Sequence, residues 1–224
     1  MCIVKVLTIP TNVAEVEKFM TSLVICRHGN TFRPEDPPRR IGRNTDIPLT
    51  KEGLRQAEAL GVYMAHKALI PTAVFSSPLQ RTQQMAERIL NVLDLDLSIQ
   101  HDERFNEISY GPDENQKEED VIRRIGQEAL ERWNKKAIAP KGWDVNPEQI
   151  KQDWANFAQE ILVEYPEQVV LVVTSNGVGR FAPYITGDYE RFRKKHNIKL
   201  KTGALGVFEY DGSNWQVMEW NTRP

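Results

Sequence analysis

Val169-Val170-Leu171-Val172-Val173-Thr174-Ser175-Asn176-Gly177 is the stretch that decides the architecture: an apolar, mostly β-branched run that stops abruptly at Thr-Ser-Asn-Gly. Its apolar part contains no alternating polar position. Such a run predicts a strand covered on both faces, as strands of parallel sheets are. Two shorter runs have the same form, Leu23-Val24-Ile25-Cys26 ending in Arg27-His28-Gly29, and Ala73-Val74-Phe75 ending in Ser76-Ser77-Pro78. Helical patterns lie between them. Thr50 reads as an N-cap to Leu54, Ala57, Leu60, Gly61 and Met64, and Met85, Ala86, Ile89, Leu90 and Leu93 form a second stripe. Strands alternating with helices predict a layered α/β domain with parallel strands. Ligands in such sheets gather at the carboxyl ends of strands, which is where the three polar clusters fall.

Working outward, Ser77 is expected to cap the second helix, with Pro78 at its first position. Residues 112–120 are polar and acidic and read as an exposed loop, and Val121, Ile122, Ile125, Ala129 and Trp133 as one amphipathic helix. Asn146-Pro147 opens a helix carrying Ile150, Trp154, Phe157, Ile161 and Leu162 that stops before Pro166. Residues 177–186 read as a short helix, and Leu205–Tyr210 with Trp215–Trp220 as a hairpin around Asp211-Gly212. The opening MCIVKVLTIP is interrupted by Lys5, ends at Pro10 and is followed by no small-residue cleavage pattern, so an export signal is not expected. Residues 1–20 read as an N-terminal extension, with Met20 an alternative start, and 21–224 as a single domain in which about 112–148 form an insert, lid or cap.

Composition narrows the function classes. The chain has 224 residues, 40% hydrophobic and 27% charged, with 29 Lys+Arg against 31 Asp+Glu and a net charge of −2. That balance lacks the basic face that nucleic acid demands. Two cysteines make no disulfide framework, and Cys26 in its apolar run reads as a buried thiol. No apolar run approaches the ~18 residues that span a bilayer. The expectation is a cytoplasmic protein with no membrane or nucleic-acid partner.

In Arg27-His28-Gly29-Asn30-Thr31, a His is held at a strand end beside a guanidinium able to grip a phosphate or carboxylate. A neighbouring cation also disfavours the imidazolium and keeps the ring neutral and nucleophilic. The plain alternative is an Arg and a His making loop contacts. In Ser76-Ser77-Pro78-Leu79-Gln80-Arg81-Thr82, Arg81 occupies the first turn of a helix, where a cation opposes the helix dipole. An anion bound at that terminus would account for it, and so would a solvent-facing side chain.

Taken together, these segments resemble the histidine phosphatase superfamily, the phosphoglycerate mutase-like proteins. The similarity runs through Arg27-His28-Gly29, then Gly42…Asp46-Ile47-Pro48-Leu49-Thr50…Gly53…Gln56-Ala57, Ser76–Thr82, and Arg104-Phe105-Asn106-Glu107-Ile108-Ser109-Tyr110-Gly111, and spans about residues 22 to 221. The resemblance implies a three-layer α/β/α sandwich and phosphoester chemistry. It assigns His28 as the nucleophile that becomes phosphohistidine, Arg27 and Arg81 as the grip on phosphoryl oxygens, and Glu107 as the acid and then the base. For Glu107 the alternative is a surface carboxylate. Asn30, Ser175 and Asn176 are expected to contact substrate. No cluster has metal-ligand spacing, and neither metal nor cofactor is expected.

Two departures bear on activity. The family places a second His after the last buried strand, whereas Ser175 stands there; His66, His101 and His196 fall elsewhere. Neutral donors at Ser175 and Asn176 hold a phosphoryl about half as strongly as charged ones. The family Asn six residues beyond the nucleophile becomes Pro34. Nothing guarantees the exclusion of water that a mutase needs, so hydrolysis of a small-molecule phosphate ester or phosphopeptide is the first expectation. A mutase-type isomerase and a non-catalytic phosphoester-binding module are the alternatives. Arg33, Arg39, Arg40 and Arg43 crowd the loop after His28, either to meet a second anionic group or to pair with Glu35 and Asp36. Trp133, Trp143, Trp154 and Phe157 read as helix packing rather than a pocket wall, and Arg191, Arg193, Lys194 and Lys195 as a solvated face. Oligomeric state has no sequence signal.

Overall fold

The computed structural model describes residues 20–224. Most of the N-terminal extension read from the sequence therefore lies outside the described residues. Among those described, six strands form one sheet: β1 (Ser22–Arg27), β2 (Ala73–Ser76), β3 (Ile99–His101), β4 (Val169–Thr174), β5 (Leu205–Tyr210) and β6 (Trp215–Thr222). Their order is β3-β2-β4-β1-β5-β6. β4 lies between β1 and β2 and runs parallel to both, with Arg27 opposite Thr174 and Ser76 opposite Val173. The three polar clusters therefore end side by side. The terminal hairpin β5–β6 adds antiparallel strands beside β1.

Alternation along the strands sorts the core into two faces. Val24, Cys26, Val74, Leu171 and Val173 point to one side, where they meet α1 (Lys51–His66) and α2 (Gln80–Leu93) through Ala57, Leu60, Met64, Met85 and Ile89. Leu23, Ile25, Phe75, Val170 and Val172 point to the other, against Trp154, Phe157 and Ile161 of a later helix, Pro147–Glu164. Both faces of β4 are covered, which is why its sequence shows no polar alternation. The expected mostly parallel α/β/α sandwich is what the chain forms. Cys26 is buried in it, and burial pushes its thiol up to about 12.

Several local expectations change. The helix after β2 begins at Gln80, not Pro78, with Leu79 at the cap position and no side-chain cap. Ser77 is drawn inward, its hydroxyl 2.7 Å from that of Thr82, while the Asp46 carboxylate accepts the Gln80 amide at 2.8 Å. A carboxylate from a distant loop has taken the capping role. The single helix expected over 121–133 is two, α3 (Glu118–Ile125) and α4 (Gln127–Lys136), broken at Gly126 with φ +83°. That left-handed backbone is open to glycine at little cost.

The loop expected to be exposed at 112–120 is partly interior. Asp113 is 2% exposed, accepts the Trp143 indole N–H at 2.6 Å and pairs with Arg124. Residues 177–186 divide into a helical turn, α6 (Asn176–Gly179), and a 3-10 turn, Ala182–Thr186. With the Pro147–Glu164 helix as α5, the last helix is α7 (Tyr189–Lys195), which the sequence reading showed only as a basic face. Trp133, Trp143, Trp154 and Phe157 all lie in the core on the α5 side of the sheet. The stretch 112–148 thus packs its tryptophans into the same core as the sheet.

Candidate active site

A cavity of about 320 Å³ opens where β1 and β4 end, and Arg27, His28, Asn30, Glu107 and Asn176 line it. The parallel register of β1 with β4 sets the floor, because the His28 amide donates to Thr174 O at 3.1 Å. His28 is 6% exposed. Its Nδ1 lies 2.8 Å from Gly29 O, and a carbonyl can only accept, so Nδ1 carries the proton and Nε2 keeps its lone pair. Burial, then the charges of Arg81 and Arg27, hold the imidazole well below the ordinary 6.5, which leaves it neutral at pH 7.

Arg27 donates through one terminal nitrogen to Leu200 O at 2.7 Å. Arg81 is fully buried and does not line the cavity; it donates to Thr45 O at 2.9 Å and Gly42 O at 3.0 Å. Its position in the first turn of α2 is explained by these carbonyls, which replace the solvent of the plain reading. The Nε atoms of Arg27 and Arg81 have no protein partner among the described residues. Burial lowers the pKa of both guanidinium groups, while the charge of Glu107 is the largest influence opposing it.

Glu107 is 4% exposed rather than a surface carboxylate. It accepts the Ile108 amide at 2.9 Å on Oε1 and the Gly177 amide at 3.2 Å on Oε2. Burial raises its pKa above 4.5 against the pull of those amides and of Arg81 and Arg27. Gly177 is required here, because a Cβ at that position would fall on the Glu107 carboxylate. Arg43 donates to the Glu107 carbonyl at 3.1 Å and so holds the backbone beneath the acid.

Of the neutral candidates, Asn30 and Asn176 reach the cavity. Asn30 accepts the Thr202 hydroxyl at 2.6 Å, and Asn176 accepts the Leu200 amide at 3.0 Å. Ser175 does not line the cavity; it is fully buried, and its hydroxyl has no partner among the described residues. The crowded arginines separate. Arg33 pairs with Asp36 and Glu35, Arg40 with Glu118, and Arg39 and Arg40 alone of the four line the cavity.

Sequence reasoning gave no site role to several lining residues, among them Tyr110, Asn134, Lys199 and Thr202. The weak alternation Ile198-Lys199-Leu200, with Ile198 and Leu200 buried, was the available sign that Lys199 faces away from the core. It also missed Arg180, fully buried with its guanidinium 4.1 Å above the Trp133 ring. Arg180 donates to Trp133 O at 2.6 Å and Asn176 O at 3.0 Å, which ties α4 to the strand end.

A buried neutral imidazole, two arginines with donors to spare and a carboxyl kept from easy ionisation are parts that suit phosphoryl transfer. The profile of the histidine phosphatase superfamily (branch 1) matches residues 23–223, and the chain belongs to that superfamily. It is 28% identical over 198 residues to a 2,3-bisphosphoglycerate-dependent phosphoglycerate mutase of Bifidobacterium longum, covering 88% of this chain and 74% of the relative. Its fold resembles a mycobacterial glucosyl-3-phosphoglycerate phosphatase solved with VO3 (TM-score 0.75, 19% identity, 90% and 98% of the two chains). It also resembles the alpha-ribazole phosphatase of Shigella flexneri (TM-score 0.69, 21% identity, 90% and 96%). Phosphatases and mutases both occur among these relatives, and a phosphohistidine mechanism is general to the family. No helix of the described residues is long and apolar enough to cross a membrane.

Proposed function

We propose that the chain is a phosphomonoester hydrolase working through phosphohistidine on His28. The observation that carries this reading is the bond from His28 Nδ1 to Gly29 O, which leaves Nε2 unprotonated and available to phosphorus. Nε2 attacks phosphorus in line as the ester P–O bond breaks, and Glu107 gives its proton to the departing oxygen. The Glu107 carboxylate then takes a proton from water as that water attacks the phosphohistidine, releasing inorganic phosphate and free imidazole. Arg27 and Arg81 offset the charge of the transferring group, and Asn30 and Asn176 add neutral hydrogen bonds.

Ser175, in the position of the family's second His, brings no charge, so turnover is expected to be slow relative to enzymes that have the imidazole. Residues 112–148 serve as a cap that lends Asn134 to the cavity. Phosphate release from 4-nitrophenyl phosphate tests the reading. Wild type should be active, His28→Ala should not, and wild type alone should accumulate an acid-labile phosphoenzyme; equal activity in both would refute it. The similarity to mutases supports a second reading, isomerisation. Incubation with 3-phosphoglycerate separates the two by its product, 2-phosphoglycerate against free phosphate.

A further inference from the structure

Asp113 pairs with Arg124 and Glu118 with Arg40, but Glu114 between them forms no ion pair among the described residues. Its partly buried carboxylate accepts three neutral donors instead. The Gly42 amide and the Thr45 hydroxyl meet Oε1, both at 2.8 Å, and the Tyr110 amide meets Oε2 at 3.2 Å. So close an approach needs glycine at 42, since a Cβ there would fall 2.3 Å from Oε2. The Glu114 backbone is itself fixed at the end of the 3-10 turn Gly111–Asp113, where its amide donates to Gly111 O at 3.1 Å.

The two residues gathered on Oε1 are the two whose carbonyls receive Arg81. Those bonds, from Nη2 to Gly42 O and from Nη1 to Thr45 O, are the only ones its guanidinium makes among the described residues. Residues 42–45 belong to no helix or strand, so no backbone ladder sets where these carbonyls point. The third donor, Tyr110, follows Glu107 on the same short segment, and Arg43 of the loop donates its amide to Ile108 O at 3.1 Å. One carboxylate therefore brackets the loop that seats Arg81 against the segment that carries Glu107. A charge fixed in advance stabilises a transition state without reorganisation.

We infer that Glu114 is a positioning residue for phosphoryl transfer: it holds the Gly42 and Thr45 carbonyls that aim Arg81 at the group carried by His28. The inference rests on the phosphoester reading of the cavity and adds to it a residue outside the cavity lining.

Orthovanadate, a mimic of the five-coordinate phosphoryl group, tests it without depending on turnover. It is titrated calorimetrically into wild type, Glu114→Gln, Arg81→Met and the double variant. A glutamine amide keeps a single acceptor oxygen, so one side of the bracket must open. Vanadate should bind Glu114→Gln about tenfold more weakly than wild type, as the loss of a charge-assisted contact implies. In the Arg81→Met background, which has no guanidinium to aim, the same substitution should change affinity by less than about twofold. Equal losses in both backgrounds, as a merely structural glutamate would give, overturn the inference, and so does an unchanged affinity in Glu114→Gln. Thr45→Val removes one donor and keeps both carbonyls, and it decides the matter if the glutamine variant does not fold. It should weaken vanadate by about threefold, and only where Arg81 is present; no change in the wild-type background overturns the inference. Wild type that binds no vanadate overturns the phosphoester reading and this inference together, whereas equal losses remove this inference alone.

Discussion

Replacing Glu107 by Gln separates the acid role from the structural one, and the geometry sets the size of each. The carboxyl accepts two backbone amides on different oxygens, Ile108 N at 2.9 Å and Gly177 N at 3.2 Å. A glutamine amide keeps one oxygen, so its NH₂ must face one of those N–H groups whichever way it is turned. Leaving one buried N–H without its acceptor costs about 1–3 kcal/mol. Part of this is offset because a neutral amide escapes the desolvation that raises the Glu107 pKa. A net loss of about 1–2 kcal/mol in urea unfolding is expected, so the variant should remain folded.

Chemistry should suffer far more. A positioned general acid contributes about 10²–10⁴-fold, and most where the leaving oxygen is a poor one. The assay compares kcat/KM for an alkyl monophosphate and for 4-nitrophenyl phosphate in wild type and Glu107→Gln. The alkyl ester should lose about tenfold more than the aryl ester, because a nitrophenolate leaves with little proton help. Equal losses for the two esters, in a variant whose unfolding curve shows it folded, would refute proton donation by Glu107.

Three further outcomes are expected. Ser175→Ala removes a fully buried hydroxyl that has no partner among the described residues, so stability should rise by about 1 kcal/mol; a lower unfolding midpoint would contradict this. Arg180→Met leaves the Trp133 and Asn176 carbonyls without their guanidinium donors and should cost about 3 kcal/mol; a loss under about 1 kcal/mol would show that the clamp is not structural. His28 titrates well below its ordinary 6.5 in the folded chain, so the unfolded chain binds more protons as pH falls from 6.5 and His28 makes stability drop with it. Glu107, with its folded pKa raised above 4.5, acts in the opposite sense. Unfolding midpoints between pH 7 and 5 should therefore fall more steeply in wild type than in His28→Asn, and parallel curves would count against a neutral buried His28.

Much of the layout was legible because its cause is local. The polarity of Val169–Val173 fixes a strand buried on both sides, and an abrupt change to polar residues marks where it ends. The His28 and Glu107 segments stood out by residue type and order. Their burial did not, since a surface carboxylate at Glu107 remained an alternative. The helix start differs from the expected Ser77 because the capping oxygen comes from Asp46, 34 residues before the Gln80 amide it accepts and brought close by the fold alone. Lys199 carried little signal for the same reason: Arg27, Arg39 and Arg40, which line the same cavity, are distant from it in the chain.

Short-range patterning, then, was enough to specify strands, helices and the edge of the sheet on which polar residues would collect. Charge states and partners needed the folded chain. They depend on how thoroughly water is removed from His28, Arg81 and Glu107 and on which dipoles replace it. Both are properties of segments that meet in space, and linear order carries neither.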